Sequence, residues 1–152
     1  MKALVVNGSA TERAVFGAQL TWTGLEPETA ATAEEAMEWL ERGEEYVAVI
    51  LSWDLQDWDG LTLLRRLRAD ARWASLPVIM VTRVEDLSRI EEAHESGASE
   101  YLMQPSDPTT LLEKLLILGV DPEEQLGAQP EMRPMPPRLT RPGEDSEARR
   151  AA

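Results

Sequence analysis

The chain contains no cysteine and a single histidine, His94. A disulfide framework, a thiolate nucleophile, a cysteine-ligated zinc site and a histidine-rich metal cluster are therefore excluded, and a reducing compartment, the cytoplasm, is the expected location. Long apolar runs are also missing. Met1-Lys2-Ala3-Leu4-Val5-Val6 turns polar at Asn7-Gly8-Ser9, too soon for a signal-peptide core, and no stretch nears the roughly 20 apolar residues that span a bilayer. Positive charge is scarce: Lys and Arg total 15 against 28 Asp and Glu, for a net charge of −13. That excess repels phosphate backbones and anionic lipid, so neither nucleic acid nor a membrane is an expected partner.

What is present divides in two near Val120. From Asp121 to Ala152 fall six of the ten prolines and no aromatic residue, with acids and bases nearly balanced at seven against five. Without an apolar period, this composition reads as a disordered, Pro-rich tail over 121–152, leaving 1–120 as the folded domain that carries the charge. Within the tail, Met132-Arg133-Pro134-Met135-Pro136-Pro137-Arg138-Leu139 reads either as a plain flexible end or as a polyproline recognition segment. The 43 % apolar content of the chain suffices for a core.

Residues 1–120 alternate short apolar runs with amphipathic stretches, the pattern of βα units around a parallel sheet. Five strands are expected, at about Lys2 to Val6, Glu26 to Ala30, Val47 to Leu51, Val78 to Thr82 and Glu100 to Met103, each followed by a helix. The second, Glu-Pro-Glu-Thr-Ala, is polar and suits a sheet edge. Ser9 and Glu12 form a capping box ahead of Ala14, Val15, Ala18 and Leu20, with Gly24 closing that helix. Thr32 or Ala33 opens the second, which turns Ala36, Met37 and Leu40 inward and ends at Gly43. The third spans about Gly60 to Ala69, with Leu61, Leu64 and Leu67 at helical spacing. Asp86 caps a fourth ending at Gly97, and Asp107-Pro108 starts a fifth. Right-handed crossovers make the fold class α/β, a doubly wound (βα)5 sandwich. In such a sheet, ligands bind past the carboxyl ends of the strands. This directs attention to Asn7 and Gly8, Ser52 to Asp54, Thr82 and Arg83, and Gln104-Pro105.

Five stretches carry a resemblance. They are Leu4-Val5-Val6-Asn7-Gly8-Ser9, Val49-Ile50-Leu51-Ser52-Trp53-Asp54, Trp58-Asp59-Gly60-Leu61, Leu76-Pro77-Val78-Ile79-Met80-Val81-Thr82 and Gly97-Ala98-Ser99-Glu100-Tyr101-Leu102-Met103-Gln104-Pro105. In this order and spacing, residues 1 to about 120 resemble a receiver domain of the two-component response regulators, the CheY-like family. The resemblance implies a five-stranded sheet in the order 2-1-3-4-5. It also implies phosphoryl transfer from a sensor-kinase phosphohistidine to an Asp at the end of the third strand. The family's apparatus is an acidic pair after the first strand that helps hold Mg²⁺, that acceptor Asp, a Thr or Ser after the fourth strand, and a Lys before a cis-Pro after the fifth.

The chain departs from this pattern where the chemistry lies. The acidic pair falls on Asn7-Gly8, the acceptor on Ser52 and the Lys on Gln104, whereas Thr82 and the downstream aromatic Tyr101 remain. Mg²⁺ needs oxygen ligands, usually with one or two carboxylates to offset its dehydration, and three carboxylates have become neutral. A serine hydroxyl needs a base to become a nucleophile, and no His or Lys matches a position in the pocket. Without metal and Lys, charge developing on a transferred phosphoryl group is not stabilised. Loss of both signs together leaves an expected neutral pocket, and no metal or cofactor is expected.

The remaining residues admit competing readings. Asp54 could serve as a displaced acceptor, and Asp57 and Asp59 are expected to shape the turn and cap the third helix. Arg83 covers the pocket mouth, pairs with Asp54 in place of the missing cation, or is solvated. Thr82 and Tyr101 match the family's switch pair, either fixed in one arrangement or answering to a partner. On the fifth helix Leu111, Leu115 and Leu118 form the core stripe. Leu112, Leu116 and Ile117 broaden it, which suits a partner, a homodimer contact, a folded-back tail or deeper burial in the domain itself. His94 sits on an acidic, outward-looking helix, the five tryptophans read as packing and loop anchors, and the arginines of the third helix offer a contact for acidic surface.

The expectation is therefore a stand-alone, degenerate receiver. It binds signalling proteins through the face made by the fourth helix, fifth strand and fifth helix, without phosphorylation and without enzymatic activity, in bacterial signalling such as chemotaxis, motility or polarity control. Two alternatives stand beside it: a receiver still phosphorylated at Asp54 or Ser52, and a scaffold or localisation adaptor whose tail makes the main contact.

Overall fold

The computed structural model describes residues 1–83 and 87–122. Chain order is β1 (Lys2–Val6), α1 (Ala10–Thr23), β2 (Glu26–Ala30), α2 (Ala33–Glu41), β3 (Tyr46–Ser52), α3 (Gly60–Ala69), β4 (Val78–Thr82), α4 (Leu87–Glu95), β5 (Glu100–Met103) and α5 (Pro108–Ile117). The strands form one parallel sheet in the order β2-β1-β3-β4-β5. The expected fold class holds. The expected tail at 121–152 lies, beyond Pro122, outside the described residues, as does the expected Asp86 cap.

Side chains alternate between the two faces of the sheet and feed two cores. Leu4, Val6, Val49, Leu51 and Met80 pack with Leu40 of α2 and with Leu61, Leu63, Leu64 and Leu67 of α3. Ala3, Val5, Ile50, Ile79 and Val81 pack with Phe16 and Leu20 of α1 and with Leu111 and Leu115 of α5. The three interior strands, β1, β3 and β4, are buried on each side, which is why they read as apolar runs. The polar β2 lies at the sheet edge, where its Pro27 is tolerated.

Local chemistry sets the helix ends. The side chains of Ser9, Thr32, Asp59 and Asp107 accept from the N–H groups of Glu12, Glu35, Thr62 and Thr110 at the starts of α1, α2, α3 and α5. Gly24 closes α1 at φ 104°, a left-handed geometry that favours glycine. Gly60 is demanded by space rather than by φ: a Cβ there would lie 2.0 Å from the Ser52 carbonyl oxygen. This close approach holds the end of β3 against the start of α3.

Several expectations need correction. β3 runs one residue further at each end, so Ser52 ends the strand. The inward face of α1 is Phe16, Gln19, Leu20 and Thr23 rather than Ala14, Val15 and Ala18. Apolar and small residues surround that helix, so its pattern alone does not select a face. Leu63 joins the core of α3, and Leu118 becomes the half-buried C-cap of α5, because the helix ends at Ile117. Asp57 does not serve α3. Its carboxylate accepts from the N–H groups of Ala33 at 2.8 Å and Glu34 at 3.1 Å, and so caps α2 from outside the helix. The arginines of α3 are mostly engaged internally. Arg68 donates to Gly97 O, Trp73 O and Ser99 Oγ, and Arg65 reaches Glu92 on α4 at 3.7 Å.

Candidate functional site

The carboxyl ends of β1, β3 and β4 bring Asn7, Ser52 and Thr82 together as buried polar residues at the floor of a cleft of about 570 Å³. Gly8, Asp54, Arg83 and Gln104 also line it, so the seven pocket residues expected from the sequence converge. Tyr101 does not line this cleft. It packs against the core on the α2 and α3 side of the sheet and borders a separate groove of about 470 Å³ between β5 and α5, with Met103, Thr110 and Lys114.

The floor is tied by hydrogen bonds. Asn7 Oδ1 accepts from Ser9 N–H at 2.9 Å, Asn7 Nδ2 donates to Glu12 Oε2 at 2.8 Å, and the Asn7 carbonyl accepts from Arg13 at 2.8 Å. Gly8 N–H donates to the Asp54 carbonyl at 3.2 Å, and Gln56 Nε2 donates to the Gly8 carbonyl at 3.0 Å. Gly8 permits this crossing, because a Cβ there would stand 3.1 Å from Asp54 O. Ser52 Oγ accepts from Asp54 N–H at 3.3 Å. Gln104 N–H donates to Thr82 O at 2.8 Å, ahead of the cis Gln104–Pro105 peptide.

The pocket is not neutral throughout, contrary to expectation. The floor is neutral, whereas the rim carries Glu12, Asp54, Arg83 and Arg89. Arg83 pairs with Glu12 and not with the exposed Asp54. The Glu12 carboxylate, and more weakly Asp54, hold the Arg83 guanidinium above its usual pKa. Arg89 of α4 lies over the Trp53 ring at 4.9 Å. Burial works to raise the Asp57 carboxyl, but the N–H groups of Ala33, Glu34 and Trp58 outweigh it and hold the carboxyl below its ordinary value.

Sequence reasoning missed Glu12, Gln56 and Arg89 as site residues. Glu12 was legible only as half of a capping box. The structure retains the Ser9 half, while the Glu12 carboxylate turns into the cleft.

The groups present do not suit Mg²⁺. The Glu12 carboxylate is neutralised by Arg83 and hydrogen-bonded by Asn7, which leaves the exposed Asp54 as the other carboxylate of the cleft among the described residues. Among the described residues no three Asp, Glu or His side chains converge as a metal-binding group. A guanidinium at the rim repels a divalent ion further.

The α5 residues expected to meet a partner lie away from the cleft. Leu116 is 47 % and Ile117 68 % exposed, while Leu112 is half-buried. No described helix is long and apolar enough to cross a membrane.

Residues 3–116 match the family described as response regulator receiver domain. The chain is 32 % identical over 123 residues to the chemotaxis protein CheY1 of Helicobacter pylori, covering 80 % of this chain and 99 % of that one. Among solved structures it resembles chemotaxis protein CheY4 of Vibrio cholerae, with TM-score 0.72, 26 % identity, and coverage of 77 % of this chain and 97 % of that one. It also resembles a CheY-like response regulator receiver domain protein of Methanospirillum hungatei, with TM-score 0.70, 28 % identity, and coverage of 83 % and 98 %.

Proposed function

The chain belongs to the response regulator receiver family, and we propose that within it the chain is a pseudo-receiver, a cytoplasmic protein-interaction module that signals without accepting phosphate. The observation that carries this reading is Ser52. It stands at the acceptor position, buried, with its Oγ accepting from Asp54 N–H, and among the described residues no lysine or histidine lines the cleft with it. A serine there cannot form an acyl phosphate. Its Oγ meets a backbone N–H rather than a base, the Glu12 carboxylate is engaged by Asn7 and Arg83, and the neutral Gln104 cannot balance charge on a phosphoryl oxygen. Asp54 is a poor substitute, being exposed at the rim and within the field of Arg83.

Output is then by contact. The partner surface is the α4, β5, α5 face, with Met103 at 43 % exposure on β5, together with Leu112, Leu116 and Ile117 of α5. Thr82 and Tyr101 keep a fixed arrangement in this reading.

The test is a heteronuclear NMR titration with Mg²⁺ and beryllofluoride, paired with mass spectrometry after incubation with acetyl phosphate. Unchanged amide resonances around Ser52, Thr82 and Tyr101 and an unmodified mass are expected. A beryllofluoride-dependent shift of these resonances, or an added phosphoryl mass on Asp54 or Ser52, overturns the proposal.

A further inference from the structure

Glu12 brings a carboxylate into the cleft from the first turn of α1, and its side chain is only 14 % exposed. A carboxylate so far withdrawn from water needs both donors and a counter-charge. The donor is local: Asn7 Nδ2 holds Oε2 at 2.8 Å, and Asn7 is itself fixed by Ser9 and Arg13. The counter-charge is not. It comes from Arg83, 71 residues along the chain, whose Nη2 meets Oε1.

Arg83 follows β4 immediately and lies four residues before the start of α4. Its side chain is 68 % exposed, so burial does not draw it toward the cleft; the carboxylate does. We propose that Arg83 is the cation that neutralises Glu12 in this cleft, and that their pairing is a strap tying the end of β4, four residues before α4, to α1. Neutralising or screening the pair then loosens α4 without disturbing the sheet. Arg89, within α4, already anchors that helix to Trp53 just past β3. The strap adds a second tie, from the end of β4 to α1. It rests on side-chain geometry and stands whether or not the chain accepts phosphate.

The experiment is amide hydrogen exchange on the full chain and on four variants: Glu12→Gln, Arg83→Gln, the double variant, and the charge-reversed pair E12R/R83E. Each single variant is expected to raise exchange across 87–95 by about threefold or more, while core amides of β1, β3 and α5 keep their rates. The double variant exchanges no faster than either single one, and the reversed pair recovers most of the protection. Sodium chloride at about 1 M reproduces the loss in the unaltered chain and adds nothing in Arg83→Gln, since it screens a pair whose cation faces solvent. Unchanged exchange across 87–95 in Arg83→Gln, or additive effects in the double variant, overturns the strap. Should Glu12→Gln loosen every element, Arg83→Gln and the salt series decide, because they leave the Asn7–Glu12 contact intact.

Discussion

Two arginines join distant parts of this molecule, one at each end of the sheet, and they do so by different chemistry. Arg68, on α3, is half-buried and donates to Gly97 O at 2.8 Å, Trp73 O at 2.9 Å and Ser99 Oγ at 3.1 Å, all neutral acceptors. Burial depresses its pKa, but not enough to matter for a guanidinium. Arg83, at the cleft, is mostly exposed and meets a carboxylate. The first satisfies backbone carbonyls that would otherwise lose water without replacement, so its contribution is large and insensitive to salt. The second neutralises a charge at a solvent boundary, so its contribution is small and adjustable. Rigidity thus belongs to the end away from the cleft and to the cleft floor, and adjustability belongs to the cleft rim.

The largest effect that tests this contrast is at the floor. Gly60→Ala places a methyl on the Ser52 carbonyl and is expected to cost about 3 kcal/mol or more, measured by urea unfolding. A cost under about 1 kcal/mol would show the floor to be as yielding as the rim.

Arg68→Ala comes next, at about 2 kcal/mol, because it strands the Gly97 and Trp73 carbonyls. Equal losses at low and high salt would mark it as a neutral-acceptor junction, whereas a loss that shrinks with salt would place it with Arg83.

Asp57→Asn should cost about 1 kcal/mol through the weakened cap on α2. The carboxyl titrates below its ordinary value in the folded protein. Its stabilisation is therefore fully present above the unfolded-state pKa and is lost as pH falls through the lower folded value. Acid unfolding followed from pH 5 downward should separate the native chain from Asp57→Asn at the upper end of that range and merge them at the lower end.

The smallest effect is spectroscopic. Raising sodium chloride to about 1 M should move the side-chain resonances of Arg83 and leave those of Arg68 in place. Movement of both would dissolve the distinction between them.

The strand positions were legible because buried parallel strands carry side chains of one kind on both faces. Val78 to Thr82 has no polar interruption before its last residue and is buried throughout. Helix starts were legible for a different reason: Thr32, Asp59 and Asp107 act on amides three residues away, a distance that sequence spacing measures directly. The inward face of α1 was not legible. It buries Gln19 and Thr23 while leaving Ala14 and Ala18 exposed, and hydrophobicity ranks these pairs the other way.

For the candidate site, Asn7, Gly8, Ser52, Asp54, Thr82, Arg83 and Gln104 could be placed because strand ends in a doubly wound sheet converge at one edge. Their charge balance could not. Glu12 is assigned to a capping box by its three-residue spacing from Ser9, yet its carboxylate serves the cleft. Asp57 stands next to α3 in the chain and caps α2 instead, since the loop after β3 folds across to that helix.

The sequence by itself determined the fold class, the five strands and the capped starts of α1, α2, α3 and α5. Each is a matter of residue type at a position, or of neighbours within one helical turn. Only the tertiary structure decided which carboxylate meets which arginine. That choice depends on where side chains from separate βα units end in space, and a long-range ion pair leaves no periodicity along the chain.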